Sequence, residues 1–322
     1  MVAVDSRSLV PIAVETLGFG SPCVLNLYLR PTADGKPVLY RAKSLAMTPA
    51  DVRVLLARNV RTLYIHAECL DEYEIYLREQ VLSSGAATSD ARYCALRDVN
   101  RAVLLDAMRH NHVGRMVDLA VEFGTELAGM FSSEEGLSAH LFGVLRHDYY
   151  TYTHVTNVCV YSLALAHALG VRGRDELTAI ATGAILHDVG KRHIPATILN
   201  KRQKLTNDEI RVVQRHPRDG FVDLCDRADL SRSQLMMVYQ HHEKLNGTGY
   251  PTRAVAAEID DWAKICAVAD VFDALTSHRP YRAPMPLADV LEHLDNGAGT
   301  AFDKEMIRCW MATVSHSTWT NN

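Results

Sequence analysis

The chain has 322 residues, of which 48% are hydrophobic and 22% charged, so it is long enough for about two globular domains with sizeable cores. Its formal net charge of −4 gives no general attraction to DNA or to an anionic membrane. Its 7 cysteines stand singly without a C-x-x-C pair, which is typical of a reducing compartment and argues against a disulfide framework. We therefore expect a cytoplasmic protein without a membrane span or a secretory signal.

Residues 1–88 predict a small α/β domain. Strand-like runs at 23–30, 36–43 and 60–67 alternate with helical runs, the first of which begins at a capping box formed by Thr48-x-x-Asp51. Small polar residues near its end predict a linker, and residues 89–132 predict a connecting helical segment. We interpret the first domain as regulatory.

Residues 133–322 predict an all-α domain whose helices are delimited by their caps. One apolar helix is expected to close at Gly190, since glycine is common just past a helix end. Capping boxes at Thr206 and Ser231 predict the starts of two more helices. The helix that starts at Thr206 is expected to stop near Pro217, because the residue before a proline disfavours helical geometry.

Histidines and aspartates lie near the ends or edges of these predicted helices. A single histidine of this kind is usually an ordinary core or surface residue, so the inference rests on the whole set. The ends of apolar helices that pack together can converge on one polar cavity. Imidazole and carboxylate donors suit iron, manganese, zinc or nickel better than calcium or magnesium. The candidate metal ligands are His154, His187, Asp188, His216, His241, His242 and Asp270.

Three longer motifs resemble the HD-GYP domain family, a branch of the HD phosphohydrolase superfamily. They are HDVGK at 187–191, HHEKLNGTGYP at 241–251 and DVFDALTSHRPYR at 270–282. The resemblance covers residues from about 135 to 312. It implies an all-helical domain, a helical bundle, whose metal centre hydrolyses cyclic di-GMP, with the candidate ligands above as the metal ligands.

The resemblance also implies roles for the residues around the metal ions. Asp188 would bridge two ions and act in catalysis together with Lys191. Substrate contacts are expected from Lys191, Tyr250, Arg279 and Arg282. A supporting layer is expected in which Glu243 orients a ligand histidine, Gly247 and Gly249 shape the loop, and Asp273 braces the motif that carries Asp270.

The number of metal ions depends on one position in the helix that carries His154. Some family members have a glutamate one turn before this histidine and use it for a third ion, whereas this chain has Tyr150 there. A neutral phenol is a poor metal ligand at neutral pH. We therefore expect a binuclear centre with two divalent transition-metal ions, iron or manganese, for which zinc or nickel could substitute.

We predict a metal-dependent phosphodiesterase that hydrolyses cyclic di-GMP to linear pGpG, to GMP, or to both, in second-messenger signalling. Two alternatives stay open. One is a phosphodiesterase for another cyclic dinucleotide. The other is a catalytically weak domain that senses a cyclic dinucleotide or binds proteins. Protein partners would bind through the GYP loop or the N-terminal domain, a homodimer stays open, and no DNA partner is expected.

Overall fold

The chain is mostly helical, with a small sheet near its N-terminus, and it divides into two compact units, Met1–Val103 and Leu104–Asn322. No helix in the part of the chain described below is both long and apolar enough to pass through a lipid bilayer. The computed structural model describes residues 9–19, 25–30, 36–88, 90–99, 112–133, 154–199, 201, 203–277 and 283–315.

The first unit contains one antiparallel sheet. Its strands are β1 (Leu9–Ala13), β2 (Leu27–Leu29), β3 (Val38–Arg41) and β4 (Thr62–His66). They lie in the order β1–β4–β2–β3. Strand β1 is missing from the predicted elements, and its short apolar run contains Pro11. Because proline cannot donate a ladder hydrogen bond, it is tolerated at a sheet edge, which is where β1 lies.

The first unit also contains three helices, two of which share a buried polar contact with the sheet. They are α1 (Pro49–Ala57), α2 (Leu70–Tyr76) and α3 (residues 90–99). The capping box predicted at the start of α1 is confirmed, with Thr48 N donating to Asp51 Oδ2 at 2.9 Å. The buried carboxylate of Asp98 on α3 accepts hydrogen bonds from Ala13 N at 3.1 Å and the Tyr73 hydroxyl at 3.0 Å. These contacts place α3, part of the predicted connecting segment, in the first unit.

The regular elements in the described part of the second unit are helices. They are α4 (Val113–Ser133), α5 (His154–Ala168), α6 (Arg174–Leu186), α7 (Ala196–Leu199), α8 (Asn207–Val213), α9 (His216–Leu224), α10 (Arg232–Gln240), α11 (Asp261–Thr276), α12 (Leu287–Asn296) and α13 (Lys304–Ser315). Helix α6 packs against α4, α5 and α10, and α11 packs against α5 and α10. Helix α5 is central, since it is buried from Thr156 to Ala166 and apolar around most of its circumference.

Three buried aromatic rings hold α5, α11 and α13 together. Tyr161 lies edge to face with Phe272 at 5.0 Å and with Trp310 at 5.7 Å between ring centroids. Phe272 and Trp310 meet in the same geometry at 4.8 Å. Edge-to-face pairs of this kind add to the stability that burial itself provides. The middle of α5 and the second half of α11 are therefore joined through an aromatic core.

The predicted capping boxes at Thr206 and Ser231 are both confirmed. The helix that begins after Thr206 does end before Pro217, at Val213, but a new helix follows at once. Helix α9 begins at His216 with Pro217 in its first turn. A proline is accepted there because the first amides of a helix have no acceptor within the helix. His216 is thereby placed at a helix start rather than at a helix end.

Candidate metal centre

The predicted metal ligands come together in the second unit, mostly from helix ends. His154 and His216 are the first residues of α5 and α9, while His187 and His241 cap the C-termini of α6 and α10. We call these residues and their neighbours the ligand cluster: His154, His187, Asp188, His216, His241, His242 and Asp270.

Asp188 lies at the centre of the ligand cluster. Its Oδ2 is 3.4 Å from His154 Nε2 and 3.3 Å from His187 Nε2. Its Oδ1 is 3.2 Å from His216 Nε2 and 3.9 Å from His241 Nε2. The two oxygens of one carboxylate therefore face two different groups of imidazoles.

Asp270, on α11, also lies between these two groups of imidazoles. Its Oδ1 is 3.1 Å from His154 Nε2, and its Oδ2 is 3.8 Å from His242 Nδ1. The first group is His154, His187 and Asp188, and the second is His216, His241 and His242. Within each group the possible ligand atoms lie within 4.8 Å of one another.

Main-chain carbonyls fix the tautomer of several ligand histidines. A carbonyl oxygen only accepts hydrogen bonds, so the ring nitrogen that faces it carries the proton, and the other nitrogen presents its lone pair. The Nδ1 atoms that donate in this way are those of His187 to Ala184 O at 2.6 Å, His216 to Val213 O at 2.8 Å, and His241 to Val238 O at 3.0 Å. Each Nε2 lone pair is therefore turned into the cluster.

These lone pairs fit a bound cation. His216 Nε2 and His241 Nε2 lie 3.2 Å apart, so two acceptor atoms face each other across a distance that would otherwise need a shared proton. Protonation of His241 is unfavourable, because burial and the neighbouring imidazoles lower its pKa well below the usual range. His187 Nε2 and Asp188 Oδ1 are also buried without a hydrogen-bond partner among the described residues. Divalent metal ions would bind the lone pairs of these nitrogen and oxygen atoms.

The carboxylates of the cluster are held in their charged form. Burial opposes charge on Asp188, yet the Lys191 ammonium and the His187 ring hold the pKa of its carboxyl well below the usual range. Burial likewise opposes charge on Asp270, but its contacts with His154 and His242 outweigh burial and hold the pKa of its carboxyl well below the usual range. The cluster therefore offers anionic oxygens, and burial lowers the pKa of His241 and of His242, which keeps these two imidazoles neutral.

Asp273 supports His154 from behind. His154 Nδ1 donates to Asp273 Oδ2 at 2.7 Å, and Asp273 Oδ1 accepts from Asn157 Nδ2 at 2.8 Å and from Ser277 Oγ at 2.9 Å. The bracing role predicted for Asp273 thus includes the orientation of a ligand histidine. Asn157, one turn along α5 from His154, was not among the predicted residues.

The loop at residues 244–254, called the GYP loop here, folds back over His242. The ring of Tyr250 stacks on that imidazole, with centroids 4.7 Å apart and an interplanar angle of 28°. Gly247 has a φ of +72°, which favours glycine. A Cβ on Gly249 would lie 2.5 Å from Glu243 Cα, so only glycine lets the loop pass this close. Burial raises the pKa of the Tyr250 hydroxyl, aided by Asp270 and Asp188, so the phenol is neutral.

Glu243 differs from its predicted role. It was expected to orient a ligand histidine, but the hydrogen bonds of its buried carboxylate go to the GYP loop. Oε1 accepts from Thr252 N at 2.6 Å and from Thr252 Oγ1 at 2.7 Å, and Oε2 accepts from Ala254 N at 3.1 Å. The reason is geometric: the loop, rather than an imidazole, covers this face of the turn.

A family model described as "HD domain" matches residues 145–306, which is half of the chain. The chain belongs to the HD domain family. This match includes the whole ligand cluster and the GYP loop.

Curated relatives agree with this assignment. The chain is 32% identical over 217 residues to "Cyclic di-GMP phosphodiesterase PA4108" of Pseudomonas aeruginosa, covering 66% of this chain and 52% of that protein. It is 39% identical over 144 residues to "Cyclic di-GMP phosphodiesterase response regulator RpfG" of Xanthomonas campestris, covering 44% of this chain and 38% of that protein. The chain thus spans about half the length of these relatives, or less.

A solved structure shares the fold of this HD domain protein. It is "Bd1817, a HDG"Y"P protein from Bdellovibrio bacteriovorus", with a TM-score of 0.67 at 19% identity. The alignment covers 95% of this chain and 99% of that chain. Similarity at this level of identity concerns the fold, and it extends over nearly the whole chain.

Close backbone packing brings His216 to Asp188 in this HD domain. Helix α6 ends at Leu186, so Gly190 lies in the following 3-10 turn instead of closing the helix as predicted. A Cβ on Gly190 would lie 2.0 Å from the carbonyl oxygen of His216 and 2.5 Å from Gly220 N. The glycines in HDVGK and in the later HPRDG run thus allow contact between two backbones. Their spacing in the sequence carries no signal of this contact.

Lys191 lies beside the ligand cluster, with Nζ paired to Asp188 Oδ2 and its side chain partly exposed. Arg192 and His193 turn away from the cluster, since both bind Asp223 Oδ2 at 2.8 Å. Other residues named from the sequence lie outside the described residues: Tyr150, Arg279 and Arg282.

Proposed function

We propose that this chain is a metal-dependent phosphodiesterase that hydrolyses cyclic di-GMP to linear pGpG, to GMP, or to both. The observation that carries the proposal is the position of Asp188, whose two oxygens face separate groups of imidazoles whose lone pairs point inward. The names of the relatives from Pseudomonas aeruginosa and Xanthomonas campestris support the substrate.

Two divalent ions are proposed for the cluster, with Asp188 as the shared ligand. His154 and His187 would hold one ion, His216, His241 and His242 the other, and Asp270 would close the shell between them. Ions bound here would supply Lewis acidity toward a phosphoryl oxygen and lower the pKa of a water molecule. Iron or manganese suits this mixed shell of imidazole and carboxylate, and zinc or nickel could substitute.

The chain's own residues would bind and orient the phosphodiester. Lys191 is partly exposed beside Asp188, so its ammonium can contact a phosphoryl oxygen that approaches the cluster. Tyr250, held against His242, forms one wall of the approach with a neutral ring. Arg279 and Arg282 are proposed as partners for a second phosphate or a guanine edge, because guanidinium groups bind both through paired hydrogen bonds.

A second candidate substrate is 3′3′-cGAMP. The chain is 36% identical over 157 residues to "3'3'-cGAMP-specific phosphodiesterase 3" of Vibrio cholerae, covering 48% of this chain and 34% of that protein. This identity is comparable to that with the cyclic di-GMP enzymes, so sequence identity alone does not distinguish cyclic di-GMP from 3′3′-cGAMP as the substrate. A catalytically weak domain that senses a dinucleotide is the third candidate. We further propose that the chain acts in the cytoplasm and that its first unit regulates the second.

Hydrolysis by the reconstituted protein tests these candidates together. The full chain, loaded anaerobically with Fe²⁺ or Mn²⁺, would be incubated with cyclic di-GMP, 3′3′-cGAMP and cyclic di-AMP, and the products separated by chromatography. We expect cyclic di-GMP to be cleaved by the wild type and by His293→Ala, an exposed histidine on α12, but not by the double variant His187→Ala, Asp188→Ala. Binding without cleavage would favour the sensor, and faster cleavage of 3′3′-cGAMP would favour the second substrate.

A further inference from the structure

The buried carboxylate of Glu243 accepts its hydrogen bonds from the GYP loop. Glu243 is 4% exposed, and a buried carboxylate is stable only when hydrogen-bond donors surround it. Among the residues described above, its hydrogen-bond donors are two backbone amides and one hydroxyl, from Thr252 and Ala254. Hydrogen bonds to a charged acceptor are stronger than those between neutral groups.

The base of the loop has its own anchors, which do not involve Glu243. Asn246 N donates to Thr300 O at 2.9 Å, and Ala256 N donates to Leu245 O at 3.1 Å. Asn246 and Val255 form an isolated antiparallel bridge. These contacts fix where the loop leaves and re-enters the domain. They leave the returning segment, residues 249–254, to be held by other groups.

The returning segment is the part that carries Tyr250. Tyr250 N donates to His242 O at 3.2 Å, and the ring lies over the His242 imidazole. Just beyond Tyr250, the chain reaches Thr252 and the carboxylate of Glu243. Glu243 directly follows His242 in sequence, so the residue that anchors the loop is joined to the residue that the loop covers.

We propose that Glu243 is a positioning residue, which clamps residues 249–254 onto the turn after α10 and thereby fixes the Tyr250 ring over His242 on the substrate side of the centre. The part of this inference that concerns substrate rests on the proposed function. The clamp itself does not. Glu243 acts through Tyr250 and does not touch the reacting atoms.

Amide hydrogen exchange measured by mass spectrometry tests the clamp without any substrate. In Glu243→Gln, the amide group of glutamine faces the donor of Ala254 or Thr252, so one charge-assisted hydrogen bond is lost. We expect amides in residues 249–254 to exchange roughly tenfold faster, with exchange elsewhere in the second unit and the bound manganese unchanged. Thr252→Val, which removes only the hydroxyl, should give a smaller increase in the same segment.

Glu258→Gln is the matched control. Glu258 is an exposed carboxylate whose Oε2 accepts from Val255 N at 3.0 Å, so it performs the same chemistry just outside the segment. Its substitution should leave residues 249–254 unchanged. Wild-type exchange of that segment in Glu243→Gln would overturn the clamp. If Glu243→Gln does not fold, Thr252→Val decides alone: unchanged exchange in that variant overturns the proposal.

A double-mutant cycle with Tyr250→Ala tests whether Glu243 acts through the ring. We expect Glu243→Gln to lower kcat/KM for cyclic di-GMP by roughly tenfold in the wild-type background and by less than about twofold in Tyr250→Ala. Equal losses in both backgrounds would overturn the link to Tyr250. If the wild type cleaves no cyclic dinucleotide, the proposed function fails, while the exchange measurement still tests the clamp.

Discussion

His154 Nδ1 lies 2.7 Å from Asp273 Oδ2, and this contact decides which nitrogen of His154 faces the ligand cluster. Because Asp273 accepts a hydrogen bond from Nδ1, Nε2 is the ring nitrogen that faces Asp188 and Asp270, at 3.4 and 3.1 Å. The other cluster histidines with a fixed tautomer use main-chain carbonyls, so His154 is distinct in depending on a side chain. A side chain can be changed without altering the fold.

Asp273→Asn should therefore weaken metal binding. Asparagine keeps the size of the side chain but loses the charge, and only one of its atoms can accept a hydrogen bond. Substitution of a group that orients a metal ligand typically lowers metal affinity by about 10- to 100-fold, and we expect a loss of about this size here. Competition for Mn²⁺ with a fluorescent chelator measures it. Asp261→Asn, an exposed aspartate at the start of the same helix, should bind Mn²⁺ like the wild type, and an unchanged affinity in Asp273→Asn would refute the role.

Gly190→Ala should destabilise the second unit and displace His216. The added Cβ would lie 2.0 Å from the His216 carbonyl oxygen, and backbone atoms cannot move aside as a flexible side chain can. We expect a loss of about 3 kcal/mol or more in the free energy of unfolding. Gly173→Ala is the control, since its Cβ would meet the Glu176 Cβ at 3.8 Å in ordinary contact. Urea unfolding would compare them, and equal stabilities would show that the 3-10 turn can shift freely.

Asp223 gives a prediction about pH. Burial raises the pKa of its carboxyl, but hydrogen bonds from Arg192 and His193 outweigh burial and hold the pKa below its ordinary value of 3.8. A carboxylate with a lowered folded pKa stabilises the protein above its unfolded pKa, and this contribution is lost as the pH falls through the folded value. Asp223→Asn should thus lower the free energy of unfolding by about 1–3 kcal/mol at pH 7. The difference from wild type should shrink as the pH falls below about 4.

Urea unfolding between pH 3 and pH 7 measures that difference. The exposed pair of Asp208 and Arg211 is the control, because such pairs contribute little, and Asp208→Asn should stay close to wild type at every pH. A penalty for Asp223→Asn that is as large at pH 3 as at pH 7 would show that charge on Asp223 is not its source.

The ligand cluster could be predicted as a set, because several of its residues stand in local patterns of the sequence. Two of these patterns are a histidine followed by an aspartate after an apolar helix, and paired histidines before a glycine-rich loop. Both can be recognised without knowing which residues are in contact in the fold. The capping boxes at Thr206 and Ser231 are equally local, and they place α8 and α10 correctly. Convergence of the helix ends then follows from packing of their apolar faces.

The partners of the supporting residues could not be predicted in this way. Glu243 binds residues 9 and 11 positions away, and Asn157 reaches Asp273 across 116 positions. Such contacts depend on how the GYP loop folds back and on how α5 crosses α11, neither of which leaves a periodic signal. The missed strand β1 has a similar cause, since Pro11 argues against a strand unless the sheet order places it at an edge.

Removal of metal should destabilise the second unit more than the loss of any one ligand contact. Without cations, the facing lone pairs of His216 and His241 and the unpaired Asp188 Oδ1 remain buried. A ligand present at ~100 times its Kd, and bound only by the folded state, adds about 2.7 kcal/mol. We expect Mn²⁺ to raise the Tm of the chelator-treated protein by roughly 5–10 °C, with about two ions bound per chain by elemental analysis.

The double variant His187→Ala, Asp188→Ala separates this effect from nonspecific binding of metal ions. It lacks the shared carboxylate and one imidazole, so its Tm should not respond to Mn²⁺. The variant should still fold without metal, because both residues follow the end of α6 and lie outside the aromatic core. Their removal also eliminates buried polar atoms that lack hydrogen-bond partners among the described residues. A Tm that rises equally in the variant and the wild type would mean that Mn²⁺ binds elsewhere. Close to three ions per wild-type chain would show that Tyr150 does not limit the centre to two.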